Sequence, residues 1–165
     1  MVLLKGGNMI TENTTLRDVL SEELIQLEMN GSTRKEVLEE FAEMFERAGA
    51  LTDKEQFLRD AWGRESEGPT GIGGQIAIPH SKSAGVKTTM MAVGRTRQPV
   101  EWPSLEGETC QAFVMFAVRE DDKTQLVTLL AQAAVALCYE EVTKTLLYSN
   151  DKREIVDALC RKERE

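Results

Sequence analysis

His80 is the single histidine in 165 residues, and Arg64 stands sixteen residues before it. A neutral imidazole, with an ordinary pKa near 6.5, is largely unprotonated at neutral pH and can attack electrophilic phosphorus to give a phosphohistidine. Phosphoryl transfer spreads negative charge over three equatorial oxygens, so such a site needs an arginine and preorganised donors. Arg64 supplies the first. The second can come from the turn TGIGG, with Thr70, Gly71 and Gly73 as candidate phosphate contacts, and from Ser81 just after the histidine. The bland alternatives are a satisfied core histidine, an Arg64 ion pair with Glu65 or Glu67, and a turn that is only structural.

Other chemistries fit less well. The glycines lack the Lys-Ser/Thr of a phosphate-binding P-loop, and a helix precedes them where a dinucleotide fingerprint requires a strand. One histidine and scattered cysteines make no metal cluster, and no Gly-x-Ser-x-Gly elbow is present. No metal and no separate cofactor are expected; the phosphoryl group would be carried covalently on His80.

The elements around this pair follow from local pattern. Residues 24–28 read as a short strand before an Asn30-Gly31 turn. Thr33 with Glu36 opens a helix whose apolar face is Val37, Leu38, Phe41, Met44, Phe45 and Ala48, stopped by Gly49. Thr52 with Glu55 opens a second helix, burying Phe57, Leu58, Ala61 and Trp62 and beginning to end at Gly63. It leads through Gly68-Pro69 into the glycine turn. Ile76, Ala77 and Ile78 form a short buried strand closed by Pro79, which delivers His80 at a strand end, with a small polar loop after it.

Residues 87–95 read as a strand broken at Gln98-Pro99, with a short edge piece over 100–102. Residues 110–118, CQAFVMFAV, suit a central strand covered on both faces. A third helix carries Leu126, Leu129, Leu130, Ala133 and Leu137, capped by Asp122 with Gln125; helices over 141–148 and 152–161 follow. The pattern predicts one α/β domain over 1–165, a sheet with helices on both faces, in which residues 1–9 are a flexible lead. Strand order is not legible.

A net charge of −8, from 28 acidic and 20 basic residues, argues against nucleic acid or an anionic membrane as partner. No segment has the length and apolarity of a membrane span, and the N-terminus does not read as a secretory leader. The cysteines at 110, 138 and 160 have no paired spacing and read as buried thiols in a reducing cytoplasm. Glu65, Glu67, Asp121 and Asp122 are candidates for steering a basic partner.

Arg64-Glu65 followed by GPTGIGxxIAIPH resembles the enzyme IIA domain of the fructose/mannitol class in the bacterial sugar phosphotransferase system, and the likeness extends over residues 10–161. That resemblance implies a mixed sheet flanked by helices, with His80 as the phosphorylated histidine and Arg64 as the phosphate-binding arginine. It implies an HPr-like phosphocarrier as donor and a cysteine of a IIB component as acceptor. It also admits a regulatory alternative, as in nitrogen-related IIA proteins, in which phosphorylation of His80 controls protein binding. Two positions depart from the family. Gln75 stands where many members have glycine, at a cost of about 1 kcal/mol if φ must be positive there. Gln125 stands where the family often has a second histidine, and its amide could bond a phosphate oxygen or serve the helix cap.

Overall fold

The computed structural model describes residues 14–104, 107, 109–122 and 125–161, with the side chain of Gln125 outside that description. The lead 1–9 expected to be flexible also lies outside the described residues. The elements in chain order are α1 (Leu16–Val19), β1 (Ile25–Met29), α2 (Arg34–Arg47), α3 (Lys54–Glu67), β2 (Gly71–Gly73), β3 (Ile76–Ala77) and β4 (His80–Ser83). There follow β5 (Met90–Glu101), β6 (Thr109–Arg119), α4 (Gln125–Leu137), α5 (Glu140–Tyr148) and α6 (Lys152–Cys160).

The sheet is mixed, as expected, in the order β1-β5-β6-β3-β2, with β4 also on β6. β6 is its axis: antiparallel to β5 on one edge, and parallel to β3 and then β4 along the other. Its near-continuous apolar run matches that position, since both faces are covered. β3 and β4 are thus two pieces of one interrupted strand. The interruption is Ile78-Pro79, where proline donates no ladder bond, and Phe116 N–H reaches across it to the Pro79 carbonyl at 3.1 Å. His80 is the first residue past the break.

Two neighbours on β5 show the layers. A Cβ at Gly94 would run into Met29 Sδ and the Phe41 ring, so α2 lies against that face. Arg95 points the opposite way, as strand alternation requires, and donates to the carbonyls of Leu146 and Ser149 at the end of α5, at 3.0 and 2.7 Å. The buried guanidinium satisfies orphan helix-end carbonyls. On the first face Phe41 and Trp102 both pack on Phe113, and Phe45 meets Phe57 between α2 and α3.

Several local expectations change. β5 runs through Gln98-Pro99 with a shift of register between Arg95 and Val100, so the exposed Pro99 is absorbed by a bulge instead of ending the strand. The cap of α3 is Asp53, not Thr52: its side chain accepts from Gln56 N–H at 3.0 Å, and the amides of both residues donate to the Gly85 carbonyl. At α2 the Thr33 half of the capping box is present, while Glu36 turns to Ser32. Trp62 is 44% exposed, with the Arg34 guanidinium 5.2 Å above its ring. Of the three thiols only Cys110 is buried; Cys138 is exposed and Cys160 half-buried.

Candidate active site

α3 runs on past Gly63 to Glu67, so Arg64 is held in its last full turn. The polar stretch after His80 is likewise not a loop: residues 80–83 pair with Phe116, Ala117, Val118 and Arg119 of β6. These two extensions bring the sixteen-residue pair together. Arg64 Nε lies 3.2 Å from His80 Nε2, and Arg64 Nη1 donates to the Gly68 carbonyl at 3.1 Å.

His80 Nδ1 lies 3.2 Å from the Ile78 carbonyl. A carbonyl only accepts and a guanidinium only donates, so both contacts are made by one neutral tautomer, with the proton on Nδ1 and the lone pair on Nε2. Burial holds the His80 pKa below 6.5, with a contribution from Arg64, against the opposing pull of the Ile78 carbonyl and Glu67. The half-buried imidazole is therefore neutral at pH 7, with its nucleophilic nitrogen aimed at a cation.

The ring opens into a recess of about 350 Å³. Arg59, Arg64 and Lys82 line it against Asp60 and Glu67, and Gly63 and Leu126 complete it. Three cations against two acids make a local excess of positive charge in a chain of net charge −8. Lys82 was not among the residues expected from sequence. It is two residues from His80 on β4 and so shares its face, a signal that existed only if 80–83 were read as a strand.

β2 and β3 form a tight hairpin in which Gly73, Gly74 and Gln75 all have positive φ, of 93°, 63° and 69°. Gln75 therefore does adopt the strained conformation, and its side-chain amide bonds Thr109 Oγ1 at 2.8 Å. Thr70 is buried: its hydroxyl donates to Glu65 Oε2 at 2.6 Å and accepts from Trp102 Nε1 at 3.0 Å. Ser81 donates its hydroxyl to the Phe57 carbonyl at 3.0 Å. Neither hydroxyl faces the recess, and the phosphate contacts expected of them give way to internal tethering.

Gly71 packs against the segment after β5, where a Cβ would meet Ser104 Cβ at 2.5 Å and the Pro103 carbonyl at 2.7 Å. Gly71→Ala is expected to lower stability by about 2 kcal/mol through overpacking, read as a lower denaturant midpoint with unchanged slope. An unshifted midpoint would mean that the Ser104 segment yields freely.

Two of the proposed steering acids are also internal. Glu65 is 4% exposed, and Asp122 is 3% exposed, accepting from Thr89 Oγ1 at 2.6 Å. Asp121 is exposed but paired with Arg119. Gln125 opens α4 next to Leu126 of the recess; the contacts expected of its side chain lie outside the described residues. No cluster of His, Cys, Asp or Glu among the described residues has the arrangement to hold a metal ion.

The family model for the phosphoenolpyruvate-dependent sugar phosphotransferase system, EIIA 2, matches residues 18–162. The PTS system fructose-specific EIIABC component of Bacillus subtilis (strain 168) is 30% identical over 144 residues, 87% of this chain and 23% of that protein. The chain thus spans under a quarter of that relative's length. Among solved structures, the nitrogen regulatory protein IIA-Ntr from Neisseria meningitidis superposes with a TM-score of 0.79 at 26% identity, covering 87% of this chain and 97% of that one. The complex of enzyme IIA-mannitol and phosphorylated enzyme IIB-mannitol from Escherichia coli shares the fold, with a TM-score of 0.72 at 22% identity, covering 85% of this chain and 96% of that one. With a match running from within α1 through the whole sheet and past the end of α6, the chain belongs to the EIIA 2 family of the sugar phosphotransferase system, of the fructose/mannitol type.

Proposed function

We propose that His80 accepts a phosphoryl group from the phosphohistidine of an HPr-like carrier and passes it to a cysteine of a IIB component, in uptake of a fructose-like sugar. One observation carries the reading: a neutral imidazole whose Nε2 lone pair faces a recess and is met by the Arg64 guanidinium at 3.2 Å. In the transfer, the Nε2 lone pair forms the new N–P bond while the donor's N–P bond breaks, its electron pair returning to the donor imidazole. The positive charge that develops on His80 is met at Nδ1–H by the Ile78 carbonyl. Arg64 turns from the ring nitrogen to the incoming oxygens, its planar fork suited to two of them, and Lys82 and Arg59 add to the field.

No dissociable cofactor enters these steps, because the group stays covalently on His80. The acid-rich surface disfavours nucleic acid, and we read the protein as cytoplasmic and without direct membrane insertion. No single helix among the described residues is long and apolar enough to cross a membrane.

The pH dependence follows from the site. Since burial holds the His80 pKa below 6.5, acceptance of phosphate stays level through neutral pH and falls only on acidification past 6.5, as Nε2 becomes protonated. A rate that rises on acidification would contradict a neutral nucleophile.

The IIA-Ntr likeness favours a second reading, in which phosphorylation of His80 governs binding to a regulated protein. Phosphate flow separates the two. Transfer from phospho-HPr through this protein to a purified IIB component and on to sugar supports uptake. No transfer to any IIB component, together with binding of a regulator that depends on the state of His80, supports regulation.

A further inference from the structure

The residue after each member of the Arg64–His80 pair is a buried tether. Ser81, beside His80, holds β4 to the Phe57 carbonyl of α3. Glu65, beside Arg64, faces inward from the last full turn of α3, where an amphipathic helix would ordinarily bury an apolar side chain. Its Oε2 accepts from Thr70 Oγ1 at 2.6 Å, and Trp102 Nε1 donates to that hydroxyl at 3.0 Å. Its Oε1 is buried without a hydrogen bond, with Arg34 Nη1 3.7 Å away. One chain of bonds therefore joins α3, the residue before β2 and the residue after β5.

Consecutive helical side chains point about 100° apart, so holding Glu65 inward fixes where Arg64 points. We infer that Glu65, gripped by Thr70, which Trp102 holds in turn, is a positioning residue that sets the rotation of the last turn of α3 and so holds the Arg64 guanidinium on His80 Nε2. This rests on the phosphoacceptor reading of the site. Glu65 does not touch the reacting atoms; it acts through its neighbour.

The sign of one titration separates this from a direct charge effect. The groups facing the imidazole are Arg64, Glu67, Lys82, Arg59 and Asp60. Arg64 lowers the His80 pKa, so loss of its placement raises the midpoint. Loss of a nearby negative charge acting directly would lower it.

Because His80 is the only histidine, its ring protons can be followed by NMR across pH in the full chain. Glu65→Leu and Thr70→Val are each expected to shift the His80 midpoint upward, toward the Arg64→Ala value and no further. In an Arg64→Ala background neither adds a shift. Glu65→Gln keeps an acceptor oxygen for Thr70 and stays at the wild-type midpoint. Phosphate acceptance in Glu65→Leu and Thr70→Val falls roughly tenfold or more, the scale of a misplaced catalytic group.

Wild-type midpoints in Glu65→Leu and Thr70→Val, a shift that persists without Arg64, or an equal shift in Glu65→Gln would overturn the inference. Should Glu65→Leu not fold, Thr70→Val, which removes only the hydroxyl, decides it. A wild-type protein that takes up no phosphate while the titrations behave as described would sink the phosphoacceptor reading alone.

Discussion

His80→Ala is expected to abolish phosphate acceptance completely while leaving the fold in place. The imidazole is half-buried, at the seam between β3 and β4, and its contacts are one carbonyl and one guanidinium. Its removal opens no core cavity, so the stability change should stay within about 1 kcal/mol. With no second histidine in the chain, no other imidazole can take its place. Labelling by phospho-HPr, beside a thermal melt of the same variant, checks both halves. Residual labelling of a folded His80→Ala protein would place the acceptor elsewhere.

Arg64→Ala is expected to slow transfer roughly hundredfold, the scale of removing one preorganised donor to developing charge. Its side chain is half-buried and its helix is tethered through Phe57 and Glu65, so the variant should fold normally. Arg64→Lys should recover only part of the loss, since an ammonium offers a point charge without the planar fork. Single-turnover transfer from phospho-HPr measures both. Unchanged rates in Arg64→Ala would refute its assignment as the phosphate-stabilising cation.

The His80–Arg64 pair was legible in the sequence because its parts are local. A helix, a turn and a strand ended by proline, joined by short links, put the two residues near each other, and the pairing of β4 with β6 then sets the contact. The central strand was equally clear, since an apolar run such as that of β6 needs cover on both faces. What stayed hidden depends on partners distant in the chain. Residues 80–83 are polar and become a strand only because β6 lies alongside, so Lys82 escaped notice. Glu65 and Asp122 read as surface acids until Trp102, Thr70 and Thr89, from other segments, enclose them.

The glycine turn shows a subtler limit. Its composition suited anion binding and tight packing alike, and the approach of Ser104 to Gly71, from a segment more than thirty residues on, is not written in the turn itself. Gln98-Pro99 looked like a strand break because a bulge is a property of two strands, not one. At the start of α3 the expected cap Thr52 gives way to its neighbour Asp53, at a point where the Gly85 carbonyl, more than thirty residues on, binds the amides of both.

Whether His80 Nε2 carries a phosphoryl group is read by intact mass measurement after incubation with enzyme I, HPr and phosphoenolpyruvate. The expected result is a gain of one phosphoryl group per chain, labile in acid as a phosphorus–nitrogen bond is and absent in His80→Ala; an unchanged mass in the wild-type protein would contradict the account.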